Sequence, residues 1–530
     1  MKNKYLVFLI SALLQSLAWA ETIPLSVPLN GIQSNGDSFL TRSALSEDGR
    51  YLTFYSNATN LVADDMNGYY DIFIVDRWLR QIQRLSVNAT GEAVNGDSIT
   101  PAISADGRYV VFSSYSSNLV PDDHNEVADI FVYDQQTHQL KRVSLRGDLQ
   151  ASNRHSFNPV ISADGRYIVF DSDATNLVEN DTNQAVDVFV YDMQTATLSR
   201  ISVDNNGIEG NADSLAPSIS ATGQMIAFES MATNLIANDD NNNSDLFLYH
   251  LQTGELQKIT QGFDGSSSNG GSFAVSLSED GRYLAFDSDA TNLVAQDTNH
   301  ASDVFRYDSQ TKEIQLMSHA HGQPADGDSF LPTLSSEGQY LVFQSKATNL
   351  ANVHGGINIF KASPMMESIN TGEHQDDFNP LITPIAISRD GCHTAYTAIT
   401  SNQLPLEETG AIIFQQFDIF IDQAVQQVAE FDFITGLLSL PTVYVPTLGV
   451  FTAQLRLLPQ EGSLIFAVEQ AVPITTVNTT CSAFSLSSGL LHLPVVEIKG
   501  LTEETLLYQV TMKWITDSTP LQFELFNYYE

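Results

Sequence analysis

SADGRYIVFDSDATNLVENDTNQAVDVFVYD occupies residues 162–192 and reads as two β-strands with a polar loop between them. RYIVFDS (166–172) and DVFVYD (187–192) are short, β-branched and aromatic runs, the composition of half-buried or buried strands. Asp164-Gly165, just ahead of the first, is a tight-hairpin dipeptide that tolerates positive φ. The loop holds Asp181, Asn183 and Asp187, two carboxylates and an amide in the order D-x-N-x-x-x-D.

The whole stretch recurs. SADGRYIVF (162–170) returns as SEDGRYLTF (46–54), SADGRYVVF (104–112), SATGQMIAF (220–228), SEDGRYLAF (278–286) and SSEGQYLVF (335–343), with a degenerate copy SRDGCHTAY (388–396). The turn glycines Gly49, Gly107, Gly165, Gly223, Gly281, Gly338 and Gly391 are separated by 58, 58, 58, 58, 57 and 53 residues. A fixed period of this size marks a repeat architecture. Each repeat has four strand signals; in the third they are 157–163, 166–172, 187–192 and 197–203. Four strands joined by hairpins make one blade. A single small sheet cannot bury both faces, and a ring of such sheets can.

The S-x-D-G-[RQ]-Y-[LIV]-x-F hairpin followed by D-[IVL]-F-[IVL]-x-D resembles the PD40 (WD40-like) repeat of TolB-like β-propellers, over about residues 22–430. The resemblance implies a propeller fold and carries no function by itself. Seven repeats are counted here, whereas TolB has six blades and an additional N-terminal α/β domain for which this chain has no room. The segment 22–39 looks like a fourth strand with its following loop, matching 83–99, so residues 22–30 are expected to complete the last blade.

Residues 431–530 leave the period. GLLSLPTV (436–443) and GLLHLPVV (489–496) lie 53 residues apart, each followed by an alternating stretch and an apolar strand, which predicts a duplicated β unit resembling a small sandwich.

Lys2 and Lys4, the apolar run 5–14 and Ala18-Trp19-Ala20 form a secretory signal peptide, with cleavage expected after Ala20. No later apolar stretch is long enough for a membrane span. The chain carries −39, and loss of the two leader lysines makes it −41. Such a surface repels nucleic acid and attracts cations and basic partners. Cys392 and Cys481 are in an export context where a disulfide is allowed.

The D-x-N-x-x-x-D loop occurs five times in register: Asp65, Asn67 and Asp71; Asp123, Asn125 and Asp129; Asp181, Asn183 and Asp187; Asp239, Asn241 and Asp245; Asp297, Asn299 and Asp303. Its oxygens suit calcium, which takes six to eight oxygen ligands. An EF-hand is excluded, because the glycine at position 6 is absent and the acid at position 12 ends the following strand. The competing reading is a loop whose Asp and Asn side chains cap its own backbone.

Gly-Asp-Ser repeats at the entry to innermost strands, giving Asp37, Asp97 and Asp328, with Ala-Asp-Ser giving Asp213, and His155 and Gly271 replacing the aspartate in repeats three and five. A nucleophile is needed once, so the repetition argues against a GDSL-type hydrolase. These loops should share a face with the D-x-N loops and form an acidic rim, with Asp37, Asp97, His155, Asp213 and Asp328 as binding residues.

The sequence thus predicts an all-β chain with a signal peptide (1–20), a seven-bladed β-propeller (21–430) and a small β-sandwich-like domain (431–530). It predicts an exported, periplasmic or extracellular monomer that binds protein or saccharide through the rim, without catalysis and with calcium as cofactor. The alternatives are a glycoside hydrolase or lyase using channel carboxylates, and a structural cell-surface protein. An unrepeated carboxylate or histidine pair in the channel would favour the enzyme.

Overall fold

The computed structural model describes residues 34–350 nearly continuously, and outside that span individual strands between Ile23–Pro24 and Gln522–Tyr529. The expected signal peptide (1–20), Cys392 and Cys481 lie outside the described residues. The chain divides into two compact units, one spanning Pro24–Gln415 and the other containing Gln416–Glu530.

The first unit is a β-propeller. Six sheets, over 38–84, 98–142, 156–200, 214–258, 272–316 and 329–370, are four-stranded with strands in sequence order. In the third, Ser156–Ile161, Tyr167–Ser172, Asp187–Asp192 and Thr197–Arg200 pair antiparallel in turn. The number of regular blades is therefore six rather than the expected seven. The seventh repeat instead contributes a five-stranded sheet. Its first strand is split into Phe378–Pro380 and Ala386–Ile387, both paired with His393–Thr400. Gly410–Gln416 follows, with the two-residue strand Ile23–Pro24 beside it. The irregularity falls where the hairpin motif degenerates and the period shortens to 53 residues.

The repeated residues have identifiable work. The two motif phenylalanines are cross-strand partners, Phe170 opposite Phe189, with ring centroids 5.8 Å apart and both fully buried. The same stacked pair occurs in all six blades. Each blade packs on the next: Val111, Ile130 and Val132 of blade two share a core with Ile168, Phe170 and Leu177 of blade three. A strand covered on both faces reads as a continuous apolar run, which is why DVFVYD does not alternate.

The hairpin glycine is required twice over. Gly165 has φ +72°, and a Cβ there would come within 2.5 Å of the Tyr109 ring of the preceding blade. The adjacent backbone links blades in series, with N–H to C=O bonds from Glu47 to Ala105, Ala105 to Ala163, Ala163 to Ala221, Ala221 to Glu279 and Glu279 to Ser336, all 2.8–3.2 Å. The motif arginine closes the same edge. Arg166 stacks on Tyr167 at 4.7 Å and donates to Asp192 at 2.8 Å, and Arg50, Arg108 and Arg282 repeat the pairing with Asp76, Asp134 and Asp308. Where blade four has Gln224, its partner position is His250, so the pair is lost from both ends together.

The second unit contains one eight-stranded sheet rather than two packed sheets. Two four-stranded units, 429–473 and 483–529, meet where Ile465–Pro473 pairs with Gln522–Tyr529. Parallel pairing of Ala429–Asp432 with Leu490–Lys499, and of Leu437–Val445 with Ala483–Ser485, closes the sheet on itself. The duplication is that of GLLSLPTV and GLLHLPVV, which occupy equivalent strands. No helix among the described residues is long and apolar enough to cross a membrane.

Candidate functional site

Pairing of Ser156 with Ser172 and of Ser172 with Asp187 puts the start of the innermost strand, the end of the second and the start of the third at one end of the blade. Arg200, opposite Phe189, brings the end of the fourth strand there too. The D-x-N loops and the Gly-Asp-Ser loops therefore share one face of the propeller.

Each D-x-N loop brings its three residues together. In blade three Asn183 Nδ2 donates to Asp187 at 3.0 Å and to the Gly210 carbonyl at 2.9 Å, while Asn183 Oδ1 accepts from the Ala185 N–H. Ser202 Oγ donates to the other Asp187 oxygen at 2.5 Å. A basic side chain from the fourth strand bridges the two carboxylates. Arg84 reaches Asp65 and Asp71 at 2.8 and 3.5 Å, and Arg142 reaches Asp123 and Asp129 at 2.9 and 3.1 Å. Arg200 reaches Asp181 and Asp187 at 3.3 and 3.1 Å, and Lys258 reaches Asp239 and Asp245 at 2.8 and 2.7 Å. In blade five Asn299 still holds Asp303 at 2.6 Å, but the residue opposite Phe305 is Leu316. Burial raises the carboxyls of Asp71 and Asp181 to about 6 and of Asp303 to about 7. Among the described residues no three His, Cys, Asp or Glu side chains converge as metal ligands.

The rim residues cap backbone. Asp97 accepts from the Tyr70 N–H and Asp213 from the Val186 N–H, each at 2.9 Å. His155 does the same through Nδ1, accepting from the Ala128 N–H at 3.0 Å. Its departure from the repeat preserves an acceptor. The Asp37 N–H is held by Asn57 at 2.7 Å, and exposed Asp328 pairs with Lys346 at 3.2 Å.

Aromatic rings stand among these caps. Phe39, Tyr55 and Tyr70 form one cluster, with Phe39 stacked on Tyr55 at 5.3 Å. Tyr115, His155 and Phe157 form another, with His155 stacked on Phe157 at 5.6 Å and Tyr115 at 5.5 Å from His155. Tyr115 and Phe273 remain 42% and 41% exposed.

Inside, the innermost strands surround a cavity of about 400 Å³ lined by Arg42, Thr100, Asn158, Ala216, Ser276 and Thr333. These strands bulge: their register slips after Phe157, and Thr100, Asn158, Ala216, Ala274 and Leu331 all have positive φ. Three bulges are held by carboxylates from the preceding blade. Asp171 accepts from the Ala216 N–H at 2.9 Å, Glu229 from Ala274 at 2.6 Å and Asp287 from Leu331 at 2.9 Å. Burial raises Asp171 and Asp287 to about 6 and Glu229 to about 7. Arg42, lowered by its own burial, attracts Asp287 and Glu229.

Sequence reading missed these four residues, although signals were present. Asp171, Glu229 and Asp287 follow the hairpin phenylalanine at steps of 58, where the other blades have Tyr55, Ser113 and Gln344. Arg42 lies on an insertion: eight residues separate Ser38 from Ser46, against six from Ser98 to Ser104. Both serines keep their usual bonds, Ser38 to Ser56 and Ser46 to the Tyr51 N–H.

No family model matches the chain, and no curated protein matches its sequence. Solved structures of similar fold include an oligogalacturonate lyase from Vibrio parahaemolyticus, at 12% identity over 75% of this chain and 96% of that one, with a TM-score of 0.48. TolB from Acinetobacter baumannii matches at 12% identity over 76% of this chain and 86% of that one, with a TM-score of 0.35. An acylaminoacyl peptidase from Pyrococcus horikoshii matches at 11% identity over 82% of this chain and 58% of that one, with a TM-score of 0.43.

Proposed function

We propose that the protein is an exported binding protein whose ligand surface is the mouth of the propeller on the face of the D-x-N loops. The observation that carries this reading is the exposed Tyr115 ring grouped with His155 and Phe157, beside side chains rich in hydrogen-bonding oxygen. Flat aromatic faces next to carboxylates and amides suit a saccharide, whose C–H faces stack while its hydroxyls donate. A protein ligand presenting basic residues is the other class the negative surface favours. The channel carboxylates argue for binding over catalysis, because each is already committed to a backbone N–H of the next blade.

Carboxyls that take protons near neutrality beside Arg42 favour a second reading, a glycoside hydrolase or lyase. Incubating the mature chain with a panel of acidic and neutral oligosaccharides distinguishes the two. Retention without new reducing ends or unsaturated products supports the binding protein. Cleavage that is lost in Glu229→Gln supports the enzyme.

A further inference from the structure

Four D-x-N loops contain their own cation, and the fifth does not. In blades one to four an Arg or Lys nitrogen lies between the two loop carboxylates at 2.7–3.5 Å. The tightest is Lys258, whose ammonium is 2.8 Å from Asp239 and 2.7 Å from Asp245. Blade five keeps the asparagine and the fourth-strand hydroxyl of its sisters. Asn299 donates to Asp303 at 2.6 Å and to the Ala325 carbonyl at 2.7 Å, and Ser318 donates to the remaining Asp303 oxygen at 2.5 Å. The position of Lys258 becomes Leu316, and that of Ser268, a second donor to Asp245 at 3.1 Å, becomes Ala325.

Asp297 shows the consequence. It is 6% exposed, and both of its carboxylate oxygens are buried without a hydrogen-bond partner of normal geometry. The Asn299 amide and exposed His300 ease its charge from nearby without replacing the missing bridge. Two buried carboxylates facing one another without a counter-charge are costly, and the same pair in four sister loops is satisfied by a cation.

We propose that the blade-five loop binds one calcium-class divalent cation, held by Asp297 and Asp303 where the Lys258 ammonium lies in blade four. Oxygen-only donors select a hard ion over zinc or copper, and a double charge neutralises both carboxylates. Water completes the shell, since the remaining loop oxygens are engaged by backbone. This site does not depend on the mouth being a ligand surface.

The test is thermal melting of the mature chain in EDTA and in millimolar calcium, with magnesium and potassium as controls, alongside Leu316→Lys and Asp297→Asn. Calcium should raise the wild-type midpoint by about 3 °C. Leu316→Lys should melt higher than wild type in EDTA and lose the calcium response, because its ammonium fills the site. Asp297→Asn should lose the response as well. The proposal is overturned if wild type does not respond, or if Leu316→Lys and Asp297→Asn respond as fully as wild type.

Discussion

Replacing Glu229 by glutamine separates the charge of a channel carboxylate from its shape. Glu229 accepts the Ala274 N–H through Oε1 at 2.6 Å, and an amide oxygen can accept the same bond. Burial raises its carboxyl from an ordinary 4.5 to about 7, against the opposing pull of the Ala274 N–H and Arg42. Between those values the folded state holds a proton that the unfolded state has released. Stability from this group is thus fully present below pH 4.5 and is lost as pH rises through 7. At about 1.4 kcal/mol per pKa unit, the loss reaches about 3 kcal/mol by pH 8. The glutamine variant should match wild type within about 0.5 kcal/mol at pH 4.5 and exceed it by about 2–3 kcal/mol at pH 8. Urea unfolding of both proteins at the two pH values reads the difference directly. Equal pH dependence in variant and wild type, or a variant less stable at pH 8, would refute the assignment of a burial-dominated charge at Glu229.

Other perturbations address the repeated parts. Arg142→Met leaves Asp123 and Asp129 facing each other with side chains 2% and 0% exposed, and should cost about 3–5 kcal/mol in urea unfolding. Gly165→Ala combines a strained φ with contact against Tyr109 and should cost about 2 kcal/mol, part of it recovered in a double variant with Tyr109→Ala. His155→Ala should lose about 1–2 kcal/mol by leaving the Ala128 N–H without its acceptor, whereas His155→Asp, the residue of sister blades, should retain most of it; thermal melts of both variants check this.

The fold was legible because every blade repeats the same solution to the same packing problem. The hairpin Asp-Gly, the paired phenylalanines and the polar loop at 58-residue steps determine strand order and register without reference to any single contact. The count of regular blades was not legible, because SRDGCHTAY keeps the turn residues while its innermost strand breaks in two. The D-x-N residues were found as a group, but their counter-ions come from Arg84, Arg142, Arg200 and Lys258, which stand 13 residues after the second aspartate and show their role only when the fourth strand folds back. His155 stood out as a substitution, and only geometry shows it accepting the same N–H as aspartate. The channel carboxylates and Arg42 are separated by more than a hundred residues, and only closure of the ring brings them into one field.

The central claim is that the aromatic, acidic mouth is the ligand surface, and a glycan array tests it most directly. The array would be probed with residues 21–530 and with the Tyr115→Ala, Phe157→Ala double variant. Removal of the exposed Tyr115 ring and the half-buried Phe157 ring should weaken saccharide binding at least about tenfold while leaving the melting midpoint within about 2 °C of wild type. Binding that is undiminished in the double variant, or a wild-type chain that retains no saccharide, would contradict the account.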